Sequence, residues 1–287
     1  MQKKIIFWDP SPEIFSFPIP FLDRPILWYG FFFALGFFVA YWFFSFLLKK
    51  TLLPYQIDRK EIANLTEKVA FYILVGAIVG ARVGDLLFYQ NWAQNLKHPL
   101  SMIKFWEGGL ASHGGAIGIA IALCIFFRKM AGKFPMLSWR ALLDLIVIPT
   151  CFAASMIRIG NFMNQEIIGT PTNVPWAVVF GHPADHSLPV PRHPVQIYES
   201  LFYFMLFVVL WFARRKIKEP GRISGLFFAA LFSFRFFIEF FKSKQSELLS
   251  AHALLDMGQI LSIPFIFFGI YLLVEKKKNS RMAGWSG

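Results

Sequence analysis

The chain alternates between long apolar blocks and short polar linkers. Each block runs for roughly 17–23 residues, about the length of a helix that crosses a hydrocarbon core of roughly 30 Å. The blocks are apolar on every side and lack the polar stripe that a helix of a soluble bundle carries. The pattern therefore predicts an all-α integral membrane protein with about seven transmembrane helices. The predicted spans are 26–48, 69–89, 109–127, 141–157, 196–213, 223–241 and 256–274.

The composition supports a membrane protein. Of the 287 residues, 56% are hydrophobic and 36 are phenylalanine, whereas a soluble domain has about 45–50% apolar residues. The mean hydropathy is +0.52. A net charge of +12 also occurs in nucleic-acid-binding proteins, but the basic residues here fall in particular linkers, so no nucleic-acid partner is expected. Cys124 and Cys151 lie in apolar runs and are interpreted as small core residues.

The basic residues also predict the orientation of the chain. Lys and Arg are enriched in the cytoplasmic loops of membrane proteins. The basic linkers 49–68, 128–140 and 214–222 and the tail 275–287 carry 5, 4, 5 and 4 of them. We therefore expect a cytoplasmic C-terminus, and with seven spans the N-terminus lies outside.

The linkers predict a simple domain organisation. Residues 1–287 form one membrane domain, with an extracytoplasmic arm at 1–25, an extracytoplasmic cap at 160–195 and a cytoplasmic tail at 275–287. The cap is rich in Pro and Gly, so it is expected to be a loop rather than another span. The apolar run Ile5–Trp8 is too short for the core of a signal peptide, so the first span is expected to direct insertion.

Most polar side chains of the predicted spans lie toward their outer ends. Charged side chains at membrane depth cost about 2.5–3.5 kcal/mol on insertion scales, so they usually face a cavity or a partner and mark function. The outer set is Tyr29, Arg82, Asp85, His113, Arg158, Tyr198, Glu199, Arg235 and Glu239. The pattern predicts a polar chamber near the outer leaflet. Its arginines favour an anionic lipid headgroup, because the guanidinium group matches phosphate oxygens.

Several of these residues also have a structural interpretation. Arg235 and Glu239 are four residues apart, and Arg82 and Asp85 are three apart, so each pair can form an ion pair on one helix face. Asp144 lies alone at an inner end, and we expect it to bond to a neighbouring helix. The sequence leaves both interpretations of the charged pairs open.

Two stretches carry the candidate chemistry. The stretch 157–169, "IRIGNFMNQEIIG", ends a span with a group of charges and amides. The stretch 108–118, "GGLASHGGAIG", places His113 between glycine pairs. A histidine with an ordinary pKa near 6.5 suits proton transfer, and the glycines suit either close ligand approach or helix packing. No metal site is expected at His182, His186 and His193, whose spacing matches no zinc pattern.

Together these stretches resemble bacterial prolipoprotein diacylglyceryl transferases. Residues 158–169 are similar to the family's signature of Arg, any residue, Gly or Ala, Asn-Phe, an apolar residue, Asn, any residue, Glu, any two and Gly. "WYG", "GGLASHGG", "HPVQIYE" and "FRFFIEFFK" resemble further family motifs and follow in the same order. The chain departs from the family pattern at Ile157, Leu231 and Lys242, where Gly, Tyr and Arg are usual.

The resemblance implies an enzyme that moves the diacylglyceryl group of phosphatidylglycerol to the lipobox cysteine thiol in a prolipoprotein signal peptide. A thioether forms and glycerol phosphate leaves. It implies no metal and no organic cofactor. It places the protein in the bacterial inner membrane, among membrane lipids, with the active site toward the outer leaflet.

The resemblance also implies roles for particular residues. His113 is the candidate base for the thiol, and Arg158 and Arg235 are the candidates for holding the phosphate and stabilising the leaving group. The other candidate contacts to phosphatidylglycerol are Tyr29, Asn161, Glu166, Gly169 and Glu239. Candidates for a supporting role are Arg82, Gly114, His193 and Glu199.

Two other classes of protein fit parts of the pattern. A lipid or anion transporter also has a polar chamber with several arginines, but it needs access from both faces, and here the polar groups lie mainly at the outer side. A structural or sensory membrane protein does not require the group of charges and amides at 157–169 or a histidine between glycines.

Overall fold

The computed structural model describes residues 6–15, 25–88, 111–130, 132–243 and 255–275, except for the side chains of Phe88, Ser112 and His113. Within these ranges the helices are α1 (Trp28–Leu52), α2 (Arg59–Phe88), α3 (Ser112–Met130), α4 (Trp139–Met163), α5 (Val195–Lys216), α6 (Arg222–Ile238) and α7 (Met257–Val274). The short strands are β1 (Ile6–Trp8), β2 (Glu13–Phe15), β3 (Ile26–Leu27), β4 (Val178–Phe180) and β5 (Pro191–Arg192). Single 3-10 turns lie at Leu53–Tyr55 and Glu239–Phe241.

The helices confirm an integral membrane protein of mainly helical structure. Within the described ranges, six helices are long and apolar enough to cross a membrane, namely α1, α2, α4, α5, α6 and α7. Helix α3 has 19 residues and covers most of the predicted span 109–127, but it is not among the six. The number of seven spans therefore stays a prediction.

Some predicted boundaries are wrong. Helix α2 begins at Arg59 instead of residue 69, because its first turns contain Lys, Glu and Arg, which are good helix formers that hydropathy does not detect. Helix α4 continues to Met163 instead of ending at 157. Arg158 and Asn161 are therefore helical, and the segment predicted as a cap from residue 160 leaves the helix only at Asn164.

The arm and the cap contain a small sheet that the sequence analysis did not predict. β1 of the arm pairs in parallel with β4, and β4 pairs antiparallel with β5. Their side chains form a separate apolar cluster of Ile168, Val178 and Phe180, with Trp8 and Phe162 packed against it. This cluster explains why the segment is ordered, because buried apolar area offsets the entropy that a free loop would keep.

The chain forms two compact units, residues 1–44 with 140–287, and residues 45–139. In the first unit Asp144 fixes the start of α6. Its Oδ2 accepts from the Gly221 N–H at 2.7 Å, and its Oδ1 accepts from the Ser224 N–H at 2.7 Å and hydroxyl at 2.6 Å. A carboxylate at a helix N-terminus satisfies N–H groups that lack helical partners. The expectation that Asp144 bonds to a neighbouring helix is confirmed.

In the second unit α2 and α3 pack through glycines. A Cβ added to Gly80 would lie 2.3 Å from the Gly114 carbonyl oxygen, and one added to Gly118 would lie 2.1 Å from the Gly76 carbonyl oxygen. Only glycine allows two helix backbones to approach this closely. The structure therefore gives Gly114 a packing role, which is one of the two roles that its sequence context suggested.

Candidate active site

The end of α4 joins three predicted site residues in one hydrogen-bonded chain. Arg158 Nη1 donates to Asn161 Oδ1 at 3.0 Å, and Asn161 Nδ2 donates to Glu166 Oε1 at 2.9 Å. Asn161 is buried. Because a carboxylate can only accept and a guanidinium can only donate, these two neighbours fix the orientation of the Asn161 amide. The structure thus brings these three predicted site residues together.

A strained turn after α4 makes these contacts possible. The Glu166 backbone N–H donates to the Asn161 carbonyl at 3.0 Å, so the chain folds back onto the helix end. Gln165 and Ile167 adopt φ angles of 52° and 58°. This conformation is uncommon for any residue other than glycine and is unfavourable for β-branched isoleucine. Such strain persists only where the surrounding contacts impose it, here to hold the Glu166 side chain against Asn161.

Helix α5 adds a buried carboxylate to this cluster. Glu199 has 0% of its surface exposed. Its Oε2 lies 3.2 Å from Arg158 Nε, in an ion pair that lacks the alignment of a hydrogen bond. Its Oε1 accepts from the Tyr203 hydroxyl at 3.3 Å and from Lys242 Nζ at 2.9 Å. A buried carboxylate is very unfavourable without such partners, so Glu199 and its two cations form one unit.

The end of α6 and the turn that follows it supply the remaining charges. Lys242 Nζ lies 3.5 Å from Glu239 Oε2. Among the described residues no carboxylate lies within 4.0 Å of the Arg235 nitrogens. The alternative that Arg235 pairs with Glu239 is therefore wrong, and Glu239 pairs with Lys242 instead.

Tyr29, at the start of α1, lies beside residues 158–169, the signature segment. A Cβ added to Gly160 would lie 3.0 Å from Tyr29 Cδ2. The tyrosine ring thus covers the helix turn that carries Asn161, and glycine at 160 provides the space for it. This contact agrees with the prediction that Tyr29 belongs to the same site.

Gly169 lies where two other backbone segments pass close to the signature. A Cβ added to Gly169 would lie 2.3 Å from the His193 carbonyl oxygen and 2.9 Å from the Phe241 carbonyl oxygen. Gly169 also forms a β-bridge with Lys242, and the Ser243 N–H donates to the Ile168 carbonyl at 3.1 Å. This bridge holds the backbone of Lys242 next to the signature segment.

His193 belongs to a second, more exposed group. Trp176 Nε1 donates to the Tyr198 hydroxyl at 2.6 Å, and that hydroxyl lies 3.3 Å from His193 Nδ1. Partial burial lowers the pKa of His193 below its ordinary value of 6.5. The neutral imidazole therefore predominates at neutral pH, with Nδ1 placed to accept the Tyr198 proton.

The arm is held to the cap beside the signature turn. Asp9 Oδ1 accepts from Gln165 Nε2 at 3.1 Å and lies 2.7 Å from His182 Nδ1. These hydrogen bonds, first that of His182 and then that of Gln165, lower the pKa of Asp9 below its ordinary value of 3.8. Trp8 Nε1 donates to the Phe162 carbonyl at 3.1 Å. The arm thus contacts the signature segment directly.

Three predicted site residues lie in the second compact unit, residues 45–139. Arg82 forms an ion pair with Asp85 at 3.5 Å, as one of the open alternatives proposed. Gly114 packs against α2. His113 lies in the first turn of α3, and its side chain is outside the described part of the chain. Its role as a base stays a prediction.

The sequence analysis missed two contacts to the cluster and gave Lys242 no role in it. Tyr203 lies four residues after Glu199, on the same face of α5, and this spacing was the available signal. Gln196 is fully buried, and its Nε2 donates to the Glu166 carbonyl at 2.8 Å. Lys242 stood out as a departure from the family pattern, but its contact with Glu199 spans 43 residues and has no local sequence signal.

Comparisons with known proteins agree with the resemblance seen in the motifs. The family model for prolipoprotein diacylglyceryl transferase matches residues 15–275. A protein of Protochlamydia amoebophila named phosphatidylglycerol–prolipoprotein diacylglyceryl transferase is 34% identical, over 96% of this chain and 95% of its own length. Proteins of the same name from Chloroherpeton thalassium and Chlamydia muridarum are 39% and 40% identical, over 96% of this chain and 96% and 99% of their own lengths. The chain therefore belongs to the prolipoprotein diacylglyceryl transferase family.

Proposed function

We propose that this protein transfers the diacylglyceryl group of phosphatidylglycerol to the lipobox cysteine of a prolipoprotein. The names of its relatives support these substrates. The observation that carries the proposal is the buried cluster in which Arg158 is oriented by Asn161 and by Glu199, a carboxylate that it shares with Lys242. A guanidinium group held in place in this way suits the oxygens of a phosphate.

The chemistry requires a thiolate and a stabilised leaving group. The cysteine sulfur attacks the diacylglycerol carbon that bears the phosphate, a C–S bond forms, and the C–O bond to the phosphate breaks. Glycerol phosphate leaves with the electron pair of that bond, and a base takes the thiol proton. The reactive form of cysteine is the thiolate, and donors placed at the departing phosphate lower the barrier.

The two arginines are suited to the leaving phosphate for different reasons. Arg158 is oriented by Glu199 and Asn161, so its position is fixed before substrate binds. Arg235 has no ion-pair partner among the described carboxylates, so its full charge is available to the phosphate. Asn161 and Glu166, with Tyr29 beside them, are placed to orient the headgroup. We retain His113 as the proposed base for the thiol.

The orientation in the membrane follows from the basic linkers. We place the C-terminus in the cytoplasm and the N-terminus outside a bacterial inner membrane crossed seven times, with the site toward the outer leaflet. Phosphatidylglycerol can then enter sideways from the bilayer, and the lipobox cysteine follows an exported signal helix at a similar depth. A fluorescent reporter that matures only in the cytoplasm, fused after Gly287, tests this orientation, and a dark, full-length fusion would refute it.

An assay with purified protein tests the reaction. The detergent-solubilised protein is mixed with phosphatidylglycerol and a lipobox peptide, and mass spectrometry follows the thioether lipopeptide and glycerol phosphate. We expect both products in equal amounts. We also expect Arg235→Ala to lower kcat/KM by at least about a hundredfold, because it removes donors to the leaving group.

The control in this assay is Arg128→Ala, which removes an exposed arginine of α3 and is expected to retain wild-type turnover. A folded wild-type protein that binds or moves phosphatidylglycerol between vesicles without forming the lipopeptide would instead indicate a lipid transporter.

A further inference from the structure

Lys242 is a buried cation between two carboxylates. Its side chain is 5% exposed, and Nζ lies 2.9 Å from Glu199 Oε1 and 3.5 Å from Glu239 Oε2. Its backbone is fixed by the bridge to Gly169. A buried lysine costs considerable desolvation energy unless its partners are well placed. Lys242 is therefore built into the cluster, although no role follows for it from the reaction itself.

The contacts of Glu199 show what Lys242 does there. A carboxylate beside a guanidinium group usually forms a bidentate pair, with two parallel N–H···O hydrogen bonds. In the described part of the chain, neither Glu199 oxygen accepts a hydrogen bond from Arg158 Nη1 or Nη2. Lys242 and Tyr203 hold Oε1, and only Oε2 faces Arg158, at Nε. The carboxylate thus orients Arg158 without occupying its outer donors.

We propose that Lys242 and Glu199 are a pair of positioning residues that keep Arg158 available to the substrate phosphate. Glu199 fixes the direction of the guanidinium group. Lys242 holds the second oxygen of Glu199, which would otherwise compete with the phosphate for the same guanidinium donors. This inference rests on the phosphate-binding role proposed for Arg158 above.

The charge balance supports this division of roles. A single carboxylate beside Arg158 would cancel its charge and weaken its attraction for an anion. Because Lys242 also lies beside Glu199, that carboxylate is shared between two cations and does not act on Arg158 alone. A compact ammonium group suits this role, because it satisfies one oxygen as a point charge and does not require the planar geometry of an arginine.

Steady-state kinetics with double variants test the proposal. KM for phosphatidylglycerol, as mole fraction in mixed micelles, and kcat are measured for Lys242→Met, Glu199→Gln, the double variant and Lys242→Arg. We expect Lys242→Met to raise KM about tenfold, because Glu199 then takes donors that the phosphate uses. The double variant should have a lower KM than Lys242→Met, since a neutral amide side chain at position 199 competes weakly. Lys242→Arg keeps the charge and should stay within about threefold of wild type.

Two outcomes would overturn the proposal. One is a double variant whose KM is no better than that of Lys242→Met, because competition from the Glu199 carboxylate then does not explain the loss. The other is a Lys242→Arg variant as impaired as Lys242→Met. Thermal unfolding and gel filtration show whether Lys242→Met folds. If it does not, Glu199→Gln is compared with the double variant. Without the carboxylate at 199, adding Lys242→Met should leave KM unchanged, and a change in KM overturns the proposal.

Three further variants separate this proposal from the proposed function. Lys129→Met and Glu219→Gln make the same chemical changes at exposed positions and should behave as wild type. Arg158→Ala should raise KM whether or not the positioning proposal holds. If KM in Arg158→Ala equals that of wild type, the proposed phosphate site at Arg158 is refuted. If KM rises in Arg158→Ala but the effects of substitutions at 199 and 242 are independent, only the positioning role is refuted.

Discussion

Replacing Arg158 with alanine should lower kcat/KM for diacylglyceryl transfer by about a thousandfold, at the upper end of the loss seen when a preorganised donor to developing charge is removed. Arg158 links the two parts of the cluster, one on α4 and the turn after it and the other on α5. Its Nη1 leads through Asn161 to Glu166, and its Nε faces Glu199. The substitution removes a donor to the phosphate and also removes one of the two cations beside the buried Glu199.

A lysine at the same position separates charge from geometry. Arg158→Lys keeps the positive charge but cannot face Glu199 and Asn161 with a planar group of donors, so we expect a loss of about a hundredfold, between alanine and wild type. Product formation is measured by mass spectrometry in single turnovers, which removes product release from the comparison. Thermal unfolding checks that the variants are folded. An Arg158→Ala variant within about tenfold of wild type would exclude Arg158 from the transition state.

The sequence singled out Arg158, Asn161 and Glu166 because the signals of this motif are local, and the apolar run before them identified α4 as a span. Arg158 and Asn161 are three residues apart and share a helix face, although the predicted span ended at 157 and the predicted cap began at 160. The turn that brings Glu166 back depends on positive φ angles at Gln165 and Ile167. These two residue types do not suggest such a turn, so its geometry was not predictable from local rules.

The contacts between distant segments were not predictable from one sequence. The ion pair of Glu199 and Lys242 joins residues 43 positions apart, and the pairing of β1 with β4 joins the arm to the cap. Both depend on how the helices pack, which hydropathy does not specify. Asp144 is the instructive exception: a charge isolated at a span end predicted a bond to another helix, because a buried carboxylate needs donors, and Gly221 and Ser224 supply them.

These long-range contacts share one consequence for the site. The signature segment is held on one side by the arm, through Trp8 and Asp9, and on the other by the backbone bridge from Gly169 to Lys242. The polar residues of the cluster are therefore fixed by surrounding structure before a lipid binds. Such preorganisation is what electrostatic stabilisation of a leaving phosphate requires.

The bridge at Gly169 predicts the second large effect. Gly169→Ala should lower both thermal stability and activity, because the added Cβ would lie 2.3 Å from the His193 carbonyl oxygen, 2.8 Å from His193 Cβ and 2.9 Å from the Phe241 carbonyl oxygen. Two of these atoms belong to backbone and cannot move by a simple side-chain rotation. Overpacking of this kind typically costs about 1–3 kcal/mol. A displacement of Lys242 by about 1 Å is enough to lower kcat/KM by about a hundredfold.

The matched control for Gly169→Ala is Gly30→Ala, where an added Cβ meets no atom within 4 Å. Gly30 lies in the first turn of α1, and alanine is the better helix former by about 1 kcal/mol, so its melting temperature should equal or exceed that of wild type. Melting temperatures of both variants are compared in the same detergent, with kcat/KM measured for Gly169→Ala. Gly169→Ala could have the melting temperature and the activity of wild type. The backbone of Phe241 and Lys242 would then move freely away from the signature segment, and the bridge would not position the cluster.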